Sequence, residues 1–178
     1  MLDNLEQELK QFAEYVVKES RANLKRQGKD STGKLSKSID SNVKVSKNSF
    51  ELSFLMEEYG TFQDKGVKGK SSSTKAPNSP FRFGSGTGRK GGLTEGINKW
   101  VQRKRFQFRD RKSGRFLSYK STAFLISRSI YQKGIAPSLF FTKPFEKAFK
   151  GLSKDLLEPF KLDIETFMKN TINNKATR

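Results

Sequence analysis

An α+β fold is what this sequence predicts: a long N-terminal helix packed on a small antiparallel sheet, a loop-rich basic insert with two short helices, and C-terminal helices. Three observations predict it. Apolar residues recur at helical spacing from Leu2 to about Arg26 and again after Thr142; two short alternating segments lie between Val43 and Met56; and positive charge gathers between Gly60 and Ile135. At 178 residues the chain reads as a single domain, residues 1–178, with the basic stretch at about 60–135 as its insert.

Leu2, Leu5, Leu9, Phe12, Ala13, Val16 and Val17 sit three and four apart with charges between them, the mark of an amphipathic helix. Gly28 suits the left-handed residue that closes such a helix, and Lys25 and Arg26 lie favourably at the negative end of its dipole. "STGKLSKSI" follows as a polar turn in which Leu35 and Ile39, four apart, fit one helical turn. Val43 and Val45 alternate with polar residues, Ser46 to Ser49 turns, and Phe50, Leu52, Phe54 and Met56 alternate again, which predicts a hairpin with one buried face. Burying each of those four side chains stabilises by roughly 1.5–3 kcal/mol.

"YGTFQDKGVKG" places Tyr59 and Phe62 three apart and turns at Gly66 and Gly69, and Lys70 to Ser79 reads as a mobile loop. "PFRFGSGTGRKGG" continues it, with Phe81 and Phe83 as apolar pegs. A helix from about Leu93 to Arg105 carries Ile97, Trp100 and Val101 on one stripe, with Trp100 as its core anchor. For "FQFRDRKSGRFLSY", a basic β-hairpin and an irregular arm both fit. Ser121 or Thr122 caps a helix that turns Ala123, Leu125, Ile126 and Ile130 inward and stops at Gly134. After the extended "IAPSLFF", Thr142 is a good N-cap and Pro144 falls in the first turn, where its missing N–H does no harm. The stripe from Phe145 through Met168 runs to about Ile172, kinked or split at Pro159, and Asn173 to Arg178 form a frayed tail.

The charge is unevenly divided. From Gly60 to Ile135 lie 18 of the 36 Lys and Arg, against Asp64, Glu95 and Asp110 alone, a net +15 that leaves only +3 to the rest. A near-neutral frame thus holds a basic insert, and acidic company is implied: nucleic acid, an anionic membrane surface or acidic protein. The chain has no Cys and no His, which removes disulfides, thiolate metal sites, the usual neutral-pH base and every imidazole triad. No stretch approaches the roughly 20 apolar residues that span a bilayer, and the acidic "MLDNLEQELKQ" lacks the basic start of a signal peptide, so a cytosolic protein is expected.

Neither chemistry nor nucleotide binding is expected. "GSGTGRKGG" lacks the spacing of a Walker loop or dinucleotide fingerprint and follows no Val- or Ile-rich strand. Glu57, Glu58, Asp64, Glu95 and Asp110 are too scattered to propose paired carboxylates and read as solvated surface. No cofactor and no metal is anticipated. One constellation stands out: Arg103, Lys104, Arg105, Arg109, Arg111, Lys112 and Arg115 with Phe106, Phe108, Phe116 and Tyr119 interleaved. Cations with aromatics between them compose a face for single-stranded nucleic acid, and they equally compose a hairpin arm with buried Phe and a cationic rim docking on acidic protein.

Read in order, "TGKLSKSI", "YGTFQDKGVKG", "GINKWVQRK", "AFLISRSIYQKGI" and "FFTKPFEKAF" resemble the tail-completion, or neck, family of tailed-bacteriophage minor structural proteins, over roughly Leu5 to Ile172. Thr32, Gly33 and Leu35 match its turn after the first helix; Tyr59, Gly60, Asp64 and Gly66 match the segment after its hairpin; Phe145 and Ala148 match the start of its C-terminal helix. Several family members are shorter between the positions of Gly69 and Thr122. The resemblance implies a non-enzymatic virion protein, assembled in the host cytoplasm as a homo-oligomeric ring, expected as a hexamer, at the head–tail junction or the top of the tail. Its implied partners are further copies of itself, neighbouring neck and tail-tube proteins and genomic DNA in the channel, with no membrane. A channel that gripped duplex DNA continuously would hold it fast. Most of Lys65 to Lys133 is therefore expected on acidic surfaces of neighbouring rings, with Arg89 and Lys90 of the glycine loop reaching DNA.

Overall fold

The N-terminal stripe closes over its own sheet in the computed structural model, which describes residues 2–46, 49–85, 92–153 and 164–175. The chain divides into two compact units, one of Met1–Asp64 with Ser138–Arg178 and one of Lys65–Pro137.

In the first unit, α1 (Leu2–Arg26) buries Leu9, Phe12, Ala13, Val16, Ser20 and Leu24, one side of a 3.6-residue period. It ends as its sequence predicts. Gly28 has φ +63°, its N–H reaches the Lys25 carbonyl at 3.0 Å, and the Lys29 N–H reaches that of Leu24 at 3.0 Å, the paired bonds of a Schellman terminus. The single turn α2 (Lys34–Ser38) seats Leu35, and the hairpin follows as β1 (Asp40–Ser46) and β2 (Ser49–Glu57), in antiparallel register from Asp40↔Leu55 to Ser46↔Ser49. Leu52, Phe54 and Met56 are buried and Phe50 is half-buried. Polar side chains of α1 hold the loops beside it: Arg21 donates to the Ile39 carbonyl at 2.6 Å, Asn23 to that of Phe140 at 3.2 Å and Gln27 to that of Ser138 at 3.0 Å.

The short helix α3 (Tyr59–Lys65) carries the first correction. Asp64, read as solvated, is 4% exposed and serves as the N-terminal acceptor of α6 (Thr142–Phe149). Its Oδ1 accepts the N–H of Phe141 at 2.8 Å and of Thr142 at 3.2 Å, while the Thr142 hydroxyl donates to Oδ2 at 2.5 Å. Thr142 therefore does not cap the helix with its own oxygen; a carboxylate remote in sequence satisfies the orphan N–H groups and favours the positive end of the dipole. Pro144 lies in the first turn, as expected.

The C-terminal stripe is not one helix. After Phe149 the bonds tighten, Gly151 N–H to Ala148 O at 2.9 Å and Leu152 N–H to Phe149 O at 3.1 Å, and the Ser153 N–H and hydroxyl are taken by the Glu8 carboxylate at 2.6 and 2.9 Å. The predicted kink at Pro159 lies outside the described residues. A last helix, α7 (Ile164–Thr171), leads into β5 (Ile172–Lys175), which pairs parallel to β2 from Phe54↔Ile172 to Glu57↔Lys175. Asn173 to Lys175, read as frayed tail, are thus a strand, and the sheet runs β1-β2-β5. The sheet supplies backbone partners that no local pattern in "INNK" reveals. Between these elements sits an aromatic core: Phe12 meets Phe145 edge-on at 5.2 Å, Phe54 meets Phe141 at 5.2 Å, and Phe167 lies 5.6 Å from Phe145 and 6.0 Å from Phe50.

The second unit begins with β3 (Val67–Lys68), antiparallel to β4 (Gly134–Ile135), and Arg82 forms a parallel bridge to Lys68 on the other side. The Lys70–Ser79 segment is a loop, but a pinned one: Ala76 and Ser79 are buried, and the Ser79 hydroxyl donates to the Gly66 carbonyl at 2.7 Å. Two helices follow, α4 (Gly92–Lys104) and α5 (Tyr119–Lys133), packed on each other. Val101 is the fully buried residue of α4, whereas Trp100, predicted as the anchor, is half-buried. Ser118 rather than Ser121 or Thr122 caps α5, accepting the Ser121 N–H at 3.0 Å. The buried positions of α5 are small, Thr122, Ala123 and Ser127, and Leu125, predicted inward, is 43% exposed. Two residues beyond Ala123 is about 200° around a helix, so Leu125 cannot share its face.

Two glycines set how closely β3 and the end of α5 approach. A Cβ on Gly69 would lie 2.0 Å from the Gln132 carbonyl oxygen, and one on Gly134, at φ +84°, 2.3 Å from that of Val67. Gly69→Ala and Gly134→Ala are each expected to destabilise by about 3 kcal/mol or more, read as loss of protease resistance within residues 65–137; unchanged digestion would refute the packing. Asp64→Ala is expected to cost about 3 kcal/mol in urea unfolding, since three donors lose a charge-assisted acceptor, with Asp64→Asn losing less. Full stability in Asp64→Ala would mean α6 is capped otherwise.

Candidate functional site

The basic-aromatic stretch is an arm built on the α4–α5 pair. Helix α4 ends with Arg103 and Lys104, and Arg105 then adopts φ +51°, with its N–H on the Gln102 carbonyl at 3.1 Å and the Phe106 N–H on that of Val101 at 2.9 Å. That is a Schellman terminus with an arginine where the backbone favours glycine, at a cost of roughly 1–2 kcal/mol. The chain next runs out through Phe106 to Arg109 and back through Arg115 to Leu117. Leu117 N–H meets the Phe108 carbonyl at 2.8 Å, Asp110 N–H meets that of Arg115 at 2.8 Å, and Arg109 and Phe116 form an isolated antiparallel bridge. Of the two forms the sequence allowed, this is a minimal hairpin.

Its turn is locked by one carboxylate. Asp110 Oδ1 accepts the N–H of Ser113 at 2.7 Å, the Ser113 hydroxyl at 2.8 Å and the Lys112 N–H at 3.1 Å, while Gly114 at φ +69° completes the reversal. The Ser113 backbone N–H and then its hydroxyl hold the Asp110 carboxyl below its ordinary value against an opposing effect of desolvation, and the Lys112 N–H adds the least. At its base the arm is tied to α5 by the Phe108 N–H, which reaches the buried Thr122 hydroxyl at 3.2 Å, and closed on itself by Gln107 Nε2, which reaches the Leu117 carbonyl at 2.8 Å.

Arg103, Lys104, Arg105, Arg109, Arg111, Lys112 and Arg115 are all exposed, and among the described residues none of them makes an ion pair. Asp110, the carboxylate in their midst, is engaged by the turn. Arg103 and Lys104 lie on the helix end, Arg111 and Lys112 at the tip. The aromatics are not buried as one of the two readings of the arm had them: Phe106 is 41% exposed, Phe108 38% and Phe116 60%. Trp100, Phe106 and Phe108 form a chain of rings at 6.1 and 5.3 Å, and the Arg109 guanidinium lies over the Phe116 ring at 4.6 Å. Arg89 and Lys90 lie outside the described residues.

The sequence reading missed Asp110 and Thr122 as the residues that fix the arm. Asp followed three residues later by Ser and then Gly is a turn signature and was available; the Thr122 bond, fourteen residues distant, was not. Among the described residues no group of three or more His, Cys, Asp or Glu could hold a metal ion, and no helix is long and apolar enough to cross a membrane.

Because the folded pKa of Asp110 is depressed, the turn's contribution is present above the ordinary carboxylate value and is lost as pH falls through the folded one. In a carbon-detected NMR titration Asp110 is expected to protonate below an ordinary Asp, and Ser113→Ala to move it upward; an ordinary value with Ser113 intact would mean the turn is not formed. Comparison with protein-family models, curated proteins and solved structures finds no match to this chain.

Proposed function

We propose that this is a non-enzymatic structural protein of a tailed-bacteriophage virion, forming a homo-oligomeric ring at the head–tail junction or the top of the tail. One observation carries the reading: residues scattered through the motifs that resemble the tail-completion family take structural positions in the first unit. Leu35 Cδ1 lies 3.1 Å from where a Cβ on Gly60 would stand, with Met56 Sδ at 2.8 Å, so a larger residue at the start of α3 would push those buried side chains aside. Four residues on, Asp64 holds the start of α6, and Phe145 of that helix is 0% exposed in the aromatic core. Leu35, Gly60, Asp64 and Phe145, which lie in those motifs, thus each have a structural task in the first unit, and this supports the reading.

A ring subunit needs a body that keeps its shape and surfaces that engage neighbours. The helix-on-sheet unit supplies the first, and the exposed cations of Lys65–Pro137 outside the stretch 103–116 supply attraction to acidic surfaces of adjoining rings. Virions made without the protein are expected to show heads and tails that fail to join, and the protein's mass share in purified wild-type virions should correspond to a small ring, six copies by expectation. Normal particles in its absence would overturn the reading.

A further inference from the structure

We propose that the arm from Arg103 to Phe116 binds single-stranded nucleic acid, with its cations on phosphates and its exposed rings against unpaired bases. The inference stands on the arm's own geometry and does not depend on the ring reading.

The charge argument comes first. Seven cations fall within the thirteen positions 103–115, five of them Arg, and none is paired within the described residues. So much uncompensated charge in one short hairpin matches the linear charge of a polyanion; an ordinary acidic protein surface intersperses its carboxylates with cations. Guanidinium also suits phosphate bidentately and stacks on planar rings, which ammonium does not. The αL conformation of Arg105 points the same way, because a cation stands where glycine would relieve the backbone.

The rings decide which polyanion. Phe54, Phe140, Phe141 and Phe145 pack to 0–1% exposure, and although Phe62 and Phe124 are also open, at 38% and 57%, Phe106, Phe108 and Phe116 stand open together at 38–60% among cations on a backbone held by Asp110 and Thr122. Phe116 with the Arg109 guanidinium above it forms a two-layer platform of the kind on which a splayed base stacks. In duplex DNA the bases are already stacked and paired and offer no free π face. Phosphate contacts alone would therefore leave the rings idle, and single strands are preferred.

The test uses the full chain, a labelled 15-nucleotide oligo(dT), the 15-base-pair duplex and polyglutamate as an acidic polymer without bases. Oligo(dT) is expected to bind at least tenfold tighter than either competitor and to quench the fluorescence of Trp100, the sole Trp, which polyglutamate should leave unchanged. Phe106→Ala, Phe108→Ala and Phe116→Ala combined are expected to weaken oligo(dT) by tenfold or more with polyglutamate binding and the circular-dichroism melt unchanged. Arg109→Gln, Arg111→Gln and Arg115→Gln combined, a second variant that keeps the rings, should flatten the dependence of affinity on salt. Equal binding of duplex or polyglutamate, with no effect of the Phe substitutions, would overturn the proposal; tighter binding of polyglutamate would make the arm a dock for acidic protein.

Discussion

The first unit depends on the buried carboxylate of Asp64. Its chain arrives in two pieces, residues up to Asp64 and residues from Ser138, and the Asp64 side chain is where they are fastened. The fastening works because three needs coincide. A helix start has unsatisfied N–H groups; a carboxyl taken into a Phe-lined interior needs donors; and Phe141 and Phe145, once α6 is aimed by that contact, fall against Phe54 and Phe12. The backbone adds to it, since the Leu139 N–H reaches the Asp64 carbonyl at 3.0 Å and the Ser138 hydroxyl reaches that of Gln63 at 2.6 Å. Glycine at position 60 has its reason here as well, for α3 must press on Met56 and Leu35 to bring Asp64 into reach.

The two units use the same side chain for opposite ends. The chain has sixteen Phe for a low aliphatic content. In the first unit they meet edge-on and tilted and replace the missing Leu and Ile as filling. In the second, the buried positions of α4 and α5 are Val, Ala, Thr and Ser, too small to need aromatics, and the Phe residues of the arm are left at the surface among arginines. Hydrophobic content alone does not separate the two uses. What separates them is the neighbours: alternation with polar residues and a sheet partner in one case, alternation with cations and a locked turn in the other.

Most of the frame was legible because its signals are local. The period of α1, Gly28 at its end, the hairpin from Val43 to Met56 and the stop at Gly134 all follow from residues within a turn or a strand of each other. Errors fell where a distant partner decides. Asp64 looked like any surface acid until α6 was beside it; Thr142 looked like a cap until Asp64 took that task; "INNK" looked like a tail until β2 offered an edge. For the arm, charge and composition were visible in the sequence, but they left open whether Phe106, Phe108 and Phe116 bury or stay at the surface. Nothing in the one-dimensional pattern says that α4 and α5 already fill the space behind them.

The parallel pairing of β5 with β2 bears on the order in which the chain can acquire structure. Residues 65–137 form one compact unit from a continuous segment, so all its parts are in hand, and it can fold, as soon as it has been synthesised. The unit that precedes it cannot. Its hairpin lacks the third strand, its α1 lacks Phe145 and Phe167, and Asp64 lacks its helix until the last forty residues have emerged. During that interval Phe12, Phe54 and the open edge of β2 wait uncovered. A nascent chain halted shortly before Ile172 would thus combine a finished basic unit with an unfinished aromatic one, and the second would be the species that chaperones recognise.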